Sequence, residues 1–320
     1  MRARLAAALA VLALTAACGN PEAPQAVTVT PVNAMPGGAE EVTAAPAAGN
    51  ADCEREASLR PGPQPAPGAM PPGSTMEKIL ARGRLVVGVD QSTNLFGSRN
   101  PATGQLEGFD IDLARELARS IFGDPDRVDL RVVTAAQRET ALQEGQVDVV
   151  VRTYSITCDR KQKVAFSTPY YVAEQRILVA RDSGIRTAAD LSGKRVCAVK
   201  GTTSLAALYA LDPRPTLYGV GQWTDCLVMI QQGQVDAIST DDVVLAGLLA
   251  QDRKNLELVG ASIGDELYGI GIKLQSPDLV RFVNGALEQM REDGTWERLY
   301  ETNLQSLGPS PGPPTARYQD

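Results

Sequence analysis

The chain has 320 residues, of which 43% are hydrophobic and 22% charged, so it is long enough for one or two domains with a sizeable core. It contains no histidine, which excludes a Ser/His/Asp triad and histidine-ligated metals. The formal net charge is −7. A nucleic acid is therefore not expected as a partner, because neutralising phosphates requires clustered lysine and arginine.

The first twenty residues have the pattern of an export signal. Two arginines precede an uncharged apolar run, 5–14, which is shorter than the ~20 residues that span a bilayer. Small residues then lead to Cys18, as in a bacterial lipobox, where the cysteine is acylated and becomes the mature N-terminus. Thr15 stands where leucine is usual, and the alternative is an ordinary signal peptide cut near Ala17. We expect a signal peptide over 1–17 and a lipid anchor as the membrane attachment.

Both ends of the mature chain have the composition of linkers. Residues 18–75 are rich in proline, alanine, glycine and threonine, which is typical of an extended tether. Residues 308–320 form a second proline-rich segment, which we expect to be an irregular tail. The globular part is therefore predicted at about 76–307.

Within this globular part, short apolar runs alternate with amphipathic ones. The runs typical of strands are 84–89, 147–151, 177–180, 196–199 and 235–238. Those with helical periodicity or composition are 112–122, 204–211, 225–232 and 279–291. This alternation predicts an α/β fold with largely parallel sheets, in which ligands bind at the carboxyl ends of the strands.

Four cysteines remain after the lipobox, and an even number in an exported chain predicts two disulfides. Cys197 lies in a strand-like run and Cys226 begins a helix-like run, so we expect both in one subdomain and pair them with each other. The remaining pair, Cys53 with Cys158, would attach the tether to the globular part. The spacings are wide and contain no C-x-x-C, so no zinc site is expected.

Several segments, taken in order, resemble family 3 of the bacterial solute-binding proteins, the extracytoplasmic amino-acid receptors of ABC importers. They are 108–113, 156–160, 166–171, 236–241, 283–287 and 293–296. The tether, the cysteine positions and the proline-rich end are most similar to the lipid-anchored glutamine-binding members of mycobacteria and related actinobacteria.

The resemblance implies the two-lobed, type II fold of periplasmic binding proteins. Lobe 1 would comprise 76–170 plus 269–307, and lobe 2 would comprise 175–264, with two strands crossing between them. The ligand would bind in the cleft, and the lobes would close over it by a hinge motion.

A free amino acid presents an ammonium and a carboxylate, so the cleft must supply groups of both charges. By the family motif, Arg160 takes the α-carboxylate as a bidentate fork, although by spacing alone it would be a surface arginine. Thr153 and Ser155 match positions that offer hydroxyl and backbone groups. Asp241 matches the aspartate that holds the ammonium, while Asp242 beside it is expected to be a helix N-cap.

We also expect the segment 201–204 and Asp90 to line the cleft. A Gly-Thr-Thr-Ser segment connects a strand to a helix, where free N–H groups favour an anion. We expect the Thr203 backbone, with the Thr202 or Ser204 hydroxyl near it, to complete the carboxylate site; outside the family context this segment would be only an N-cap. Asp90, at the end of the first strand, is a second candidate for the ammonium or the edge of the ligand, with a turn aspartate as the alternative.

Two arginines bear on the choice of ligand. Arg138 stands where the glutamate/aspartate receptors of the family place an arginine for the side-chain carboxylate. Arg152, where a small residue is usual, is expected to add a second positive charge. Ala135 and Ala136 occupy the place of an aromatic residue found in glutamine receptors. The alternative for both arginines is a surface salt bridge. We predict binding of aspartate and glutamate above asparagine and glutamine.

The sequence thus predicts a lipid-anchored, monomeric receptor that has no cofactor, is not an enzyme, and delivers a free amino acid to an ABC permease. A sensor subunit that signals through a membrane partner is the alternative, and it would need the same pocket. A dehydratase-like enzyme on the same fold is a remote alternative, because no histidine base or free thiol is present. A structural surface protein is disfavoured by the ammonium and carboxylate anchors at family positions.

Overall fold

The computed structural model describes residues 34–46 and 52–320, so the expected signal peptide and the lipid anchor at Cys18 lie outside the described residues. The strands are β1 (Glu40–Glu41), β2 (Ala57–Ser58), β3 (Leu85–Val89), β4 (Ser92–Thr93), β5 (Gly97–Arg99), β6 (Leu106–Glu107), β7 (Val128–Val132), β8 (Val149–Val150), β9 (Ala165–Phe166), β10 (Tyr171–Ala180), β11 (Arg195–Val199), β12 (Thr216–Val220), β13 (Ala237–Asp241), β14 (Leu256–Tyr268), β15 (Gly271–Ile272) and β16 (Arg317–Tyr318). The α-helices are α1 (Thr75–Arg82), α2 (Phe109–Phe122), α3 (Arg138–Gln143), α4 (Cys158–Lys161), α5 (Thr203–Tyr209), α6 (Trp223–Gln231), α7 (Asp242–Leu249), α8 (Pro277–Glu292) and α9 (Thr295–Asn303). The α/β fold class is confirmed.

Two sheets form the centres of two lobes. The sheet of lobe 1 has the order β7-β3-β8-β15-β9, and that of lobe 2 has the order β1-β12-β11-β13-β10-β14. The pairs within β7-β3-β8 and β12-β11-β13 are parallel, and the other pairs of these two sheets are antiparallel. The expectation of largely parallel sheets was therefore wrong. The sheets are mixed because the strands that return between the lobes enter without a crossover helix.

The two lobes are connected by β10 and β14. They pair antiparallel from Tyr171 opposite Tyr268 to Ala180 opposite Leu256, with an irregularity between Gln175 and Ile177. The sequence predicted only 177–180 of the first strand, because the polar residues before Ile177 obscure the apolar pattern. These strands are the two crossings between the lobes.

The amino-acid sequence determines both ends of helix α2, which packs behind the cleft. Its buried residues recur with helical spacing, and it ends at Gly123, whose left-handed conformation lets its N–H bond to the Arg119 carbonyl. It begins earlier than predicted, at Phe109, directly after Gly108. A Cβ on Gly108 would lie 2.5 Å from the Phe96 backbone, so only glycine allows this close approach.

The described part of the tether is not a free linker, which corrects the prediction for 18–75. Strand β1 extends the sheet of lobe 2, and β2 pairs with β16 in the C-terminal tail. The tail at 308–320 is likewise held against lobe 1 through this pairing. Composition predicts weak internal structure, but it does not show that a backbone edge elsewhere is open for pairing.

Two disulfides join the pairs that the sequence predicted. Cys197 is bonded to Cys226 within lobe 2, and Cys53 is bonded to Cys158 at the start of α4 in lobe 1. Among residues 34–46 and 52–320, no helix is both long and apolar enough to cross a membrane.

Candidate ligand-binding cleft

A narrow cavity with only about 10 Å³ of free space lies between the lobes, beyond the carboxyl ends of β8, β11 and β13. Strand ends of this kind are where α/β proteins bind ligands. The cavity is lined from lobe 1 by Arg138, Arg152, Thr153 and Ser155, and from lobe 2 by Thr202, Thr203, Ser204, Trp223, Thr240, Asp241 and Val244. Of the residues predicted for the ligand site, all but Asp90 and Arg160 line it.

Asp241 is the acidic residue that lines the cavity. It ends β13 and precedes α7, and its Oδ2 accepts a hydrogen bond from the Tyr268 hydroxyl. Its Oδ1 is buried without a hydrogen-bond partner. Burial, and next the charge of Glu266, raise the pKa of Asp241 to about 8. A buried carboxylate oxygen without a donor is a place where a cation would be strongly stabilised.

The prediction that Asp242 is the N-cap residue of α7 was wrong. Asp241, not Asp242, is the N-cap residue of α7, and Asp242 is the first residue of the helix. The Asp242 carboxylate accepts a hydrogen bond from the Glu174 N–H at 3.1 Å, so it links α7 to β10.

Arg138 is buried at the boundary of the two lobes, with 3% of its surface exposed. Its Nε donates to the Ala135 carbonyl and its Nη2 to the Gly201 carbonyl of lobe 2, each at 2.9 Å. Burial, and next the charge of Arg160, lower the pKa of Arg138. The alternative of a surface salt bridge does not hold for Arg138, because this side chain is buried and the neighbouring Glu139 pairs with Lys163 on the outside.

Arg160 lies beside Arg138 but faces the outer cleft. Thr157 caps α4 by accepting from the Arg160 N–H at 3.2 Å. The Arg160 guanidinium donates to the Ser155 carbonyl at 2.6 Å and to the Gly201 carbonyl at 3.0 Å. Both arginines therefore converge on one carbonyl of lobe 2. Arg160 lines a second, more open cavity next to the first.

Asp90 and Arg152 bind each other, which corrects both expectations. Their side chains are buried and lie 3.0 Å apart. The Asp90 oxygens also accept from Ser92 and Thr93, and the Arg152 Nε donates to the Val133 carbonyl at 2.8 Å. Asp90 is therefore not free to hold an ammonium, and the charge of Arg152 is largely compensated. A charge buried this far from water requires such a partner.

The backbone of Thr153 is held in place by Asp110, a residue that was not among the predicted site residues. Thr153 has a left-handed backbone with φ of 36°, and its N–H donates to Asp110 at 2.8 Å. Tyr170 donates to the other oxygen of Asp110, also at 2.8 Å. Burial raises the pKa of Asp110 to about 7. The available signal was an aspartate at a buried position in the first turn of α2.

The hydroxyl groups of the cavity are mostly engaged within the protein. Thr202 caps α5 and donates to the Val199 carbonyl at 2.7 Å, which is the N-cap reading of this segment. The Ser204 hydroxyl lies 3.0 Å from that of Thr240. Thr203 donates to Ser155 across the cleft at 3.3 Å. Thr203 and Ser155 are therefore the hydroxyl pair that spans the two lobes.

Three lining residues, Trp223, Thr240 and Val244, were missed. Trp223 is the first residue of α6 and is buried. In the sequence it stands among apolar residues at helical spacing, which indicates core rather than ligand contact. Only the packing of α6 beside the cleft shows that its ring closes one side of the cavity.

The two lobes are in close contact at two glycines of lobe 2, Gly201 and Gly247. Gly201 approaches Ala136 so closely that a Cβ would lie 2.7 Å from the Ala136 Cα. On the other side of the cavity, a Cβ on Gly247 would lie 2.7 Å from the Asn94 carbonyl oxygen. A side chain at either position would hold the lobes apart.

Comparison with known proteins identifies the family to which this chain belongs. Residues 85–306 match the family model of the bacterial extracellular solute-binding proteins, family 3. The chain belongs to this family. Like its relatives, this family 3 protein has a type II binding-protein fold with the candidate site between the lobes.

Several family members are similar over most of their length. The ABC transporter glutamine-binding protein GlnH of Bacillus subtilis is 36% identical over 228 residues, which are 71% of this chain and 83% of that protein. The glutamate-binding protein GluB of Corynebacterium glutamicum is 34% identical over 236 residues, 70% of this chain and 80% of that protein. The crystal structure of the solute receptor for L-cysteine of Neisseria gonorrhoeae has a TM-score of 0.71 and 26% identity, covering 74% of this chain and 98% of that one.

Proposed function

We propose that this family 3 protein is a lipid-anchored extracytoplasmic receptor that binds a free acidic amino acid, aspartate or glutamate, for ABC import. The observation that carries the proposal is the buried Asp241 Oδ1, which has no hydrogen-bond partner and faces a cavity shared with Arg138. An α-ammonium would pair with Asp241. The Arg160 guanidinium would turn from its carbonyl partners toward the α-carboxylate, with Ser155, Thr153 and Thr203 beside it.

The balance of charges supports an acidic ligand. Arg152 and Asp90 compensate each other, which leaves Arg138 and Arg160 against Asp241. With Asp241 ionised, as it must be to hold an ammonium, the remaining net charge of the site is one positive unit. Aspartate and glutamate carry one negative unit and would neutralise it, whereas asparagine and glutamine would leave one guanidinium without a carboxylate. In a buried site an uncompensated charge costs several kcal/mol, of the order of 3–5.

Two of the relatives are named for polar amino acids of this size. GlnH of Bacillus subtilis is named for glutamine and GluB of Corynebacterium glutamicum for glutamate. Since the two relatives differ in this respect, the choice between amide and acid depends on this chain's own residues. Arg138 and the absence of an aromatic ring at Ala135 and Ala136 favour the acid.

The test is calorimetric titration of the purified protein with aspartate, glutamate, asparagine and glutamine after unfolding and refolding to remove copurified ligand. We expect the two acids to bind at least tenfold more tightly than the two amides. A preference for glutamine would contradict the acidic specificity and leave the amino-acid receptor. If none of the four bound, the proposal would be wrong as a whole.

Anchoring and delivery need separate tests. We expect Cys18→Ala to abolish incorporation of labelled fatty acid and to release the protein from the membrane fraction. Retention of the variant with the membrane would contradict the lipid anchor. Loss of amino-acid uptake on deletion of the gene would support import, whereas unchanged uptake would favour the sensor alternative.

A further inference from the structure

Tyr154 lies directly under Arg138 and Arg160, the two arginines of the cleft that bond to carbonyl groups rather than to an acid. The Arg138 Cζ is 4.1 Å and the Arg160 Cζ 4.9 Å from the centroid of its ring. The ring is fully buried and meets Phe166 edge-on, with 4.8 Å between centroids. Tyr154 therefore has a fixed orientation and presents its π system to both guanidinium groups.

The hydroxyl of Tyr154 does not account for the presence of this residue. The oxygen is buried and has no hydrogen-bond partner, which is unfavourable for a polar group. An aliphatic side chain would fill the same space without this penalty. What an aliphatic side chain lacks is the negative face of the ring, which attracts a cation more strongly where water is excluded.

The two guanidinium groups repel each other, although both donate to the Gly201 carbonyl and no acidic side chain forms a salt bridge with either of them among the described residues. We propose that Tyr154 is a positioning residue, whose ring holds Arg138 and Arg160 side by side so that together they receive the two carboxylates of an acidic ligand. This inference rests on the proposed function. It assigns to the ring a part of the ligand selectivity, although the ring itself is not required to touch the ligand.

The test compares glutamate and glutamine binding in Tyr154→Phe, which keeps the ring, and Tyr154→Leu, which removes it. We expect Tyr154→Phe to bind both ligands within about twofold of the unmodified protein. Tyr154→Leu should weaken glutamate binding by roughly 10- to 30-fold, since a desolvated cation–π contact is worth about 2 kcal/mol. Glutamine binding should weaken less, because glutamine has only one carboxylate.

The controls separate the role of the ring from general packing. Tyr318→Leu removes a ring that Arg60 approaches at 5.8 Å outside the cleft, and we expect unchanged affinities. If Tyr154→Leu does not fold, Tyr154→Met provides the same comparison with a similar volume. Equal weakening of both ligands in Tyr154→Leu, or equal losses in Tyr154→Phe and Tyr154→Leu, would overturn the inference. Failure of the unmodified protein to bind any amino acid would instead refute the proposed function.

A second inference concerns the N-terminal strap, by which we mean residues 35–60 in their two described parts. The first part is held by lobe 2. Lys200 donates to the Gly38 carbonyl at 3.0 Å and pairs with Glu40 at 3.0 Å. The Val42 N–H donates to the Leu217 carbonyl at 2.8 Å, which continues the pairing of β1 with β12.

The second part of the strap is held by lobe 1. Cys53 is bonded to Cys158, and Lys161 donates to the Glu54 and Ala57 carbonyls at 2.8 and 2.7 Å. Six residue steps separate Pro46 from Asp52, and they can span at most about 20 Å. The strap therefore connects the lobes a third time, by a disulfide at lobe 1 and by strand pairing and a salt bridge at lobe 2.

This third connection lies on a different side of the cleft from the other two. The outer cavity is lined by strap residues 40–44 and Pro46, by Arg160 and Thr157 of lobe 1, and by Lys200 and Thr203 of lobe 2. The strap thus runs along the mouth of the cleft, whereas β10 and β14 form the hinge. We infer that the strap limits how far the ligand-free lobes open. Closure then requires a smaller rearrangement, and ligand release is slowed.

The strap can be loosened at either end. Cys53→Ser with Cys158→Ser removes its disulfide bond to lobe 1, and Val42→Asp disrupts the packing of Val42 beside Gly219 of β12. We expect each change to increase the radius of gyration of the ligand-free protein in X-ray scattering. The ligand-bound value should stay the same, and the dissociation rate of the bound amino acid should rise several-fold.

Cys197→Ser with Cys226→Ser is the matched control, because it removes a disulfide within lobe 2. It should leave the scattering and the dissociation rate unchanged. The inference would be overturned if both strap variants matched the unmodified protein, or if the control changed scattering to the same extent. Circular dichroism checks that each variant is folded, and Val42→Asp keeps the test valid if the loss of Cys53–Cys158 prevents folding.

Discussion

The two faces of the cleft differ in chemistry although both are built on strand ends. Lobe 1 contributes the guanidinium groups of Arg138, Arg152 and Arg160, whereas lobe 2 contributes the Asp241 carboxylate and a group of hydroxyls. An amino acid has an ammonium at one side and a carboxylate at the other, so neither lobe alone matches it. We therefore expect ligand binding and lobe closure to be coupled, because the proposed contacts with both lobes would favour the closed state.

The largest effect is expected from removing Asp241, the acidic residue that lobe 2 contributes to the cavity. Asp241→Ala should abolish binding of every amino acid, by a factor of about 100 to 1,000 or more, because the ammonium would be buried without a partner. Calorimetry with aspartate, glutamate and glutamine checks this. Asp241→Asn keeps the shape and should fail equally. Full binding by the Asn variant would show that a neutral acceptor is sufficient.

The next largest effect is expected from removing Arg138 of lobe 1, and it should differ between acidic and amide ligands. Arg138→Ala should weaken aspartate and glutamate binding by about 100-fold and glutamine binding by less than about tenfold, since only the acids lose a charged partner. The ratio of the dissociation constants is the readout. If all ligands weakened equally, Arg138 would be holding the lobes together through Gly201 rather than reading the ligand side chain.

The pKa of Asp241 predicts that binding depends on pH. Because this pKa is about 8 in the ligand-free protein, Asp241 is protonated at pH 6 and must release a proton to hold an ammonium. The dissociation constant should fall about tenfold per pH unit from pH 5 to pH 7.5. Calorimetry at pH 6 in buffers of different ionisation enthalpy should show the release of about one proton per ligand. A dissociation constant independent of pH would contradict the assignment of Asp241 as the ammonium partner.

The raised pKa values also predict how the free energy of unfolding changes with pH. The pKa values of Asp110 and Asp241 are raised on folding, to about 7 and about 8, so the folded protein binds protons more tightly than the unfolded chain. Their contribution to stability is present below about pH 4 and is lost as the pH rises toward 8. Saturating ligand should reduce the part due to Asp241, because the ammonium stabilises the ionised form.

The smallest effect tests closure without touching the ligand. Gly247→Ala places a Cβ against the Asn94 backbone and should weaken acids and amides by the same factor, of several-fold. Gly221→Ala is a suitable control, because a Cβ there meets no atom within 4 Å. A change in selectivity in Gly247→Ala would mean that this contact shapes the pocket as well as limiting closure.

Several features of this fold followed from local patterns. Apolar runs located β3 and β11, and helical spacing located α2 and α8, because burial imposes those periods directly. Motif positions brought Arg138, Ser155 and Asp241 to one cavity. The docking of the strap and the tail was not predictable in this way, since β1 and β16 are two-residue strands whose partners lie far away in the chain.

The amino-acid sequence by itself determined the α/β class, the chemical types of the cleft residues and the candidate anchor at Asp241. Only the tertiary structure decided which charges remain available, because Arg152 is compensated by Asp90 whereas Arg138 and Arg160 share a carbonyl and the ring of Tyr154. The reason is physical. Burial and helical or strand periodicity act on neighbouring residues and can be read along the chain, but the partner of a buried charge depends on distances between segments that only packing brings together.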